Sequence, residues 1–190
     1  MFFLKNPNDE EVERLIAHTR ARPHSYSEVG ATQTAPPSGY NIDHNRALLG
    51  RGSEAFARAI TAINEWRMFD MPWIRLIPAK PEVKEDETVA VIVKHFGFYS
   101  VNISRVVYQI QEDGQYGFAY GTLPSHAEQG EERFTVEHDQ STDEVWYDLF
   151  AFSKPRALPA RIGYSISRRL QKRFARDSLA AMKQAVSVGQ

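Results

Sequence analysis

A chain of 190 residues with 42% hydrophobic content is long enough for one domain that buries about 70% of its unfolded surface, and too short for two independent ones. With 23 basic and 24 acidic residues the formal charge is −1, so no global field draws the molecule to nucleic acid or an anionic membrane. The absence of cysteine excludes disulfides, thiolate nucleophiles and cysteine-ligated metals, and favours a reducing compartment.

The amino end, MFFLKNPNDEEVERL, has too short an apolar start for a signal-peptide core, and no later run reaches the length of a membrane span. A cytoplasmic protein without stable membrane insertion is the expectation. Asn8 or Asp9 can cap a helix over residues 10–20, with Val12, Leu15 and Ile16 on one face and an acidic pair in the first turn. Residues 22–39 hold three prolines among repeated Ser, Thr and Gly, which reads as a surface loop. YNIDHNRALLGRG reads as a strand, after which Ser53 is expected to cap a helix whose Phe56, Ile60, Ile63 and Trp66 recur at helical spacing.

From Trp73 the period changes. WIRLI, TVAVIVKH, NISRVVYQIQ, YGFAYGTL, ERFTVEH and EVWYDLFAF are β-rich runs between turn signals, expected to pair antiparallel. A helix of about twenty-five residues is expected from near Pro155 or Pro159, with Ile162, Ile166, Leu170 and Phe174 inward, continued by Leu179, Met182 and Val186. Segregated helices and a strand meander predict an α+β domain in which the long helix covers a curved sheet. The whole chain, 1–190, is read as one domain: a helix and Pro/Ser/Gly-containing loop over 1–39, packed on a core over 40–187.

Several of these strings also resemble a known family. YNIDHNRALLGRG, WRMFDMPWIRL, KHFGFYSVNISRVVY, GFAYGTLPSHAEQGEERF, VWYDLFAFSKPRA and RRLQKRFARDSLAAM are similar to the bacterial and plant domain-of-unknown-function family numbered nineteen-ninety, over roughly residues 22–187. Membership implies no reaction. The element order looks like the helix-grip fold of START-related and birch-pollen-allergen-like proteins, whose sheet wraps the last helix around a cavity that often takes hydrophobic small molecules. One architecture of this kind hosts carriers, receptors, cyclases and dehydratases, so the resemblance supplies a shape and not a chemistry.

The chemistry-bearing residues concentrate in GFAYGTLPSHAEQGEERFTV, residues 117–136. Gly117, Ala119 and Gly121 share one strand face and Phe118, Tyr120 and Thr122 the other. Glycines in a strand imply that something approaches closely, here the terminal helix or a ligand. His126, Glu128 and Glu132 are the candidates for acid–base work, because an imidazole beside a carboxylate titrates near neutrality; the alternative is a solvated hairpin end whose charges discourage edge pairing. His95, Tyr120, Thr122, His126, Glu132 and Trp146 are the candidate ligand-binding residues. Trp66, Trp73 and Phe150 can also line a cavity, although aromatic residues mostly fill cores. His95, His126, His138 and Glu128 lack a recognised metal-ligand spacing, so no metal or cofactor is expected. Arg105, inside a strand, is expected to pair with a carboxylate such as Glu132.

Charge is uneven along the chain. Residues 154–185 hold nine basic and one acidic residue, net +8, and residues 111–150 hold one basic and ten acidic, net −9. The stripe of Arg168, Arg169, Lys172, Arg173 and Arg176 can therefore answer the hairpins or meet an external anion. GRGSEAF lacks the GxGxxG order and a Walker lysine, and no GxSxG elbow is present. The sequence thus reads first as a protein that binds a hydrophobic or amphipathic small molecule between sheet and last helix, with no nucleic acid partner. An enzyme using the same pocket for cyclase, dehydratase or hydrolase chemistry is the alternative, and an anion-binding module using the basic helix a third. Oligomeric state is left open.

Overall fold

A computed structural model of the chain describes residues 1–155 and 164–187, with side chains in the last helix from residue 168 onward. Eight strands form a single sheet among these residues: β1 (Phe2–Phe3), β2 (Asn41–Arg51), β3 (Ile74–Ile77), β4 (Thr88–Lys94), β5 (Tyr99–Glu112), β6 (Gln115–Thr122), β7 (Glu128–Asp139) and β8 (Glu144–Pro155). The spatial order is β2-β8-β7-β6-β5-β4-β3, every pair antiparallel, with β1 attached to β5. Three helices accompany it: α1 (Asp9–Thr19), α2 (Gly52–Asn64) and α3 (Tyr164–Ser187). Sheet and long last helix compose the helix-grip fold.

Local chemistry explains the elements. Asn8 caps α1 in a reciprocal box with Glu11, each side chain accepting from the other's backbone N–H. No side chain caps α2. The expected cap, Ser53, lies inside its first turn, and the Gly52 N–H donates instead to the Asp143 carbonyl at 2.9 Å. Ile63 and Trp66 are fully buried while Phe56 and Ile60 pack at the margin. A 3-10 turn at Arg67–Phe69, which periodicity does not show, then brings Phe69 under α3.

Both faces of the sheet are covered. On the concave side α2 and α3 enclose a core of Trp66, Phe118, Phe134, Tyr147 and Met182; Tyr147 and Ser178 hydroxyls meet at 3.0 Å, and the Trp73 indole N–H donates to Asp177 at 3.0 Å. Met182 and Val186 are buried as their spacing implies. Ile162 and the side chain of Ile166 lie outside the described residues. On the convex side α1 packs Val12 against Ile77, Ala90, Ile92, Val101 and Ile103.

The Gly-Ala-Gly face of β6 points to this convex side and not to α3. A Cβ on Gly121 would come within 2.1 Å of the Tyr26 hydroxyl, so the object that requires glycine is the loop after α1. At Gly130 a Cβ would stand 1.9 Å from the Phe152 carbonyl; only a bare backbone permits that approach between β7 and β8. Arg105 is likewise convex. It donates to the carbonyls of Arg20 (2.8 Å) and Arg22 (3.3 Å), lies 3.7 Å from Asp86, and does not meet Glu132, because successive residues of paired strands place the two on opposite faces.

Candidate functional site

Between the concave face and α3 lies a cavity of about 890 Å3, within the range of pockets that take small organic ligands. Its wall is mostly apolar, and Phe69, Trp73, Ile74, Val91, Val93 and Phe174 supply much of it. The apolar part is lined by β3 and β4 on one side and by Phe69, Trp73 and Phe174 on the other. A polar part lies where β2, β8, β7 and β6 run side by side.

Strand register builds that polar part. Asp43 of β2 stands opposite Ala151 of β8, Ala151 opposite Glu132 of β7, and Glu132 opposite Tyr120 of β6. Ala151 contributes only a methyl group, so space opens beside the Glu132 carboxyl. The Tyr120 hydroxyl donates to Glu132 at 2.9 Å. Among the described residues this is the sole hydrogen-bond partner of Glu132. Glu132 is partly exposed and lines the cavity. Burial pushes its carboxyl up to about 7; the Tyr120 hydrogen bond pulls it back in part, and the charges of Asp43 and Glu128 push it further. Burial, with the adjacent carboxyl, raises the Tyr120 phenol as well.

The neighbours of Glu132 are differently placed. Asp43 is held by Arg168 of α3 through two hydrogen bonds of 2.5 and 2.7 Å. The Gln171 side-chain amide donates to Glu128 and to the Ser153 hydroxyl. These contacts join the polar end of the cavity to the helix that covers it. His126, in the turn from β6 to β7, accepts the Glu128 backbone N–H at Nδ1, 3.0 Å away, and lines the rim.

The other candidates separate into two groups. Tyr120, Thr122, His126, Glu128, Glu132 and His95 all line the cavity. His95 bonds the Ser100 hydroxyl at 2.8 Å, stacks on Phe98 with ring centres 4.4 Å apart, and has its imidazole lowered by burial. Thr122 is spent internally, accepting the Gly130 N–H and meeting the Ser25 hydroxyl. Trp146 is not at the cavity: it lies on the convex face with Arg46 stacked over its ring at 4.9 Å, because odd-numbered residues of β8 carry the inward positions. Phe150 is convex too, beneath Arg133, and Trp66 is core. His138 pairs with Asp143, far along β7 from His126. Among the described residues no three His, Asp or Glu side chains gather as a metal site.

Sequence reasoning missed Asp43, Asn45 and Asn102, which also line the cavity. Their signal was present as polar residues at alternate positions of β2 and β5. Part of the basic stripe is engaged within the protein: Arg168 turns in to Asp43 and Arg173 stacks over Trp73 at 4.4 Å. Arg173 and Arg176 both reach Asp177. The partners are thus β2, β3's preceding loop and the helix itself, not chiefly the acidic hairpins.

Comparison with known proteins places this geometry in a lineage. Among solved structures, a hypothetical protein of Helicobacter pylori, jhp0584, superposes with a TM-score of 0.53 at 11% identity, covering 76% of this chain and 86% of that one; the likeness is one of fold. Human STARD10 gives 0.47 at 10% identity over 94% of this chain and 80% of its own. In sequence, a UPF0548 protein of Dictyostelium discoideum is 31% identical over 211 residues, covering 100% of this chain and 98% of that protein. A UPF0548 protein of Deinococcus radiodurans is 35% identical over 190 residues, covering 93% and 94%. The sequence profile described as "Domain of unknown function (DUF1990)" matches residues 25–181. The chain belongs to the DUF1990 family.

Proposed function

We propose that this protein binds a small amphipathic molecule in the cavity between the concave sheet face and α3. The observation that carries the reading is the cavity itself: about 890 Å3, mostly apolar, yet with a carboxyl and a phenol at one end. A filled core would have closed that space, since unoccupied volume of this size costs packing energy that folding does not recover. The apolar wall favours a hydrocarbon or ring system, and the Tyr120–Glu132 pair orients a polar head. Native mass spectrometry of gently purified protein tests this, with Val93→Trp as the comparison, because residue 93 lines the cavity. A bound small molecule in the wild type that is lost from a folded Val93→Trp protein is the expected result. Its absence from both, together with no binding of added amphiphiles, overturns the reading.

One observation favours a second reading. A carboxyl raised to about 7 can both hold and release a proton at neutral pH, so Glu132 suits general acid–base work on a bound ligand. Carbon-13 NMR titration of the glutamate carboxyls decides it. A Glu132 pKa near 4.5 removes the support for an enzyme and leaves the binding protein standing.

No further observation favours an anion-binding role for the basic helix. Three of its five cations already have partners within the protein, and among the described residues no helix is long and apolar enough to cross a membrane.

A further inference from the structure

The charges around the cavity bear on what kind of head group it takes. Glu132 sits beside the open space over Ala151 with a neutral phenol as its hydrogen-bond partner and no cation against it among the described residues. The groups facing it are Tyr120 from β6, Glu128 from β7, Tyr147 from β8 and Asp43 from β2. From α3, Arg168 is engaged with Asp43, and Lys172 stands at the solvent-exposed rim. The deep polar end is therefore rich in acceptors. A second acceptor points the same way. Asn102 of β5 is 9% exposed, lines the cavity, and uses its amide N–H groups on the Val91 carbonyl and the Ser100 hydroxyl; its Oδ1 has no partner among the described residues. Unmet acceptors in a largely apolar cavity are satisfied by a ligand that brings donors.

We propose that the molecule held in this cavity carries a protonated amine, seated against Glu132 beside Tyr120, with its apolar portion lying along Trp73, Phe69, Phe174 and the valines of β4. The inference rests on the binding function proposed above and adds to it the charge of the ligand. An ammonium supplies several donors and the charge that Glu132 lacks, and a charge-assisted contact in a mostly apolar cavity is stronger than one in bulk water. A carboxylate head would instead set a second carboxyl directly against Glu132, with no cation beside it among the described residues. An uncharged head would leave Glu132 either protonated or unpaired.

Proton linkage gives the test a sign. Free Glu132 shares its proton near pH 7; an ammonium beside it draws the carboxyl pKa down, so binding expels protons and tightens by about tenfold between pH 6 and pH 8. A ligand that accepts a hydrogen bond from protonated Glu132 does the opposite. Dodecylamine, dodecanol and dodecanoate share one tail and differ in the head. Titration calorimetry of the full chain with each, below its micelle concentration and in two buffers of different ionisation enthalpy, is expected to show the amine at least tenfold tighter than the other two, with net proton release. Glu132→Gln is expected to weaken the amine by tenfold or more and to abolish its proton release, with a thermal unfolding curve showing that the variant is folded. Equal binding of amine and alcohol, proton uptake, or an amine affinity that survives Glu132→Gln overturns this inference while the cavity's binding role stands. Failure of all three probes to bind the wild type overturns both.

Discussion

Glu131 and Glu132 are adjacent in β7, and the pleat sends them to opposite faces of one sheet. On the convex side Glu131 is 2% exposed and saturated: it accepts from the Tyr26 hydroxyl at 2.6 Å, the Gly30 N–H at 2.7 Å, the Thr32 N–H at 3.0 Å and the Thr32 hydroxyl. On the concave side Glu132 has one phenol and an empty volume. The same residue type is thus a structural anchor on one face, holding the loop over residues 24–34 to the sheet. On the other face it holds a single hydrogen bond and keeps acceptor capacity toward the cavity. Burial alone does not distinguish a binding residue from a structural one; the number of donors already pointed at it does.

The strongest way to break the comparison is to remove each carboxyl in turn. Glu131→Ala leaves four donors without an acceptor in a buried pocket, and urea unfolding should show a loss of about 3 to 5 kcal/mol. A loss below about 1 kcal/mol would mean the loop is not anchored there. Glu132→Gln should act with the reverse sign. The native state keeps the Glu132 carboxyl near 7 against an ordinary 4.5, so between those values it binds more protons than the unfolded chain, and its presence lowers stability progressively as pH rises. Below pH 4.5 the variant should match wild type. Above pH 7 it should be more stable by up to roughly 3 kcal/mol, the equivalent of that shift at 1.36 kcal/mol per unit. Unfolding curves at pH 4 and pH 8 measure it, and a pH-independent difference would sink the assignment.

A smaller effect sharpens the claim that the concave face is hollow. Phe174 packs on Phe69 with ring centres 5.4 Å apart, but it is only half-buried and one side faces the cavity. Complete burial of such a ring is worth about 1.5 to 3 kcal/mol, so Phe174→Ala should cost about 1 to 2 kcal/mol. A cost of about 4 kcal/mol or more by urea unfolding would indicate a ring enclosed on all sides and a cavity smaller than 890 Å3.

Much of the fold was legible because period and turn chemistry agree along the chain. The capping box at Asn8, the strands of the meander and the inward series Met182 and Val186 in α3 follow from local pattern. Alternation also showed that Tyr120 shares a face with Thr122 and that Glu131 and Glu132 diverge. It did not show which face is concave. In β5 the sequence Ser100-Val101-Asn102-Ile103-Ser104 invites the apolar residues inward, yet Val101 and Ile103 pack under α1 on the convex side while Ser100 and Asn102 look into the cavity. A sheet covered on both faces offers two places to bury valine, and the polar alternate positions then line a ligand space. The same ambiguity misplaced the Gly-Ala-Gly face of β6 and put Trp146 at the cavity. Asp43 was illegible for another reason: its partner Arg168 is 125 residues away, and only closure of the helix over β2 joins them.

The least perturbing change separates the two kinds of cation on that helix. Arg168 and Lys172 are one turn apart, so a uniform solvated stripe would make them equivalent. They are not: Arg168 clasps Asp43 with two hydrogen bonds, both partners being mostly buried, whereas Lys172 is exposed and lacks a hydrogen-bond or ion-pair partner among the described residues. Arg168→Gln removes a bidentate, charge-assisted contact and leaves Asp43 beside the polar end of the cavity, for an expected loss of about 1 to 2 kcal/mol. The freed Asp43 charge should also raise the Glu132 carboxyl further, which NMR titration would register. Lys172→Gln should change stability by less than about 0.5 kcal/mol, the ordinary range for a surface substitution. Equal effects from the two variants would mean that Arg168 is solvated like its neighbour. The clasp between α3 and β2 would then have to be withdrawn, and with it the account of what holds the helix over the polar end of the cavity.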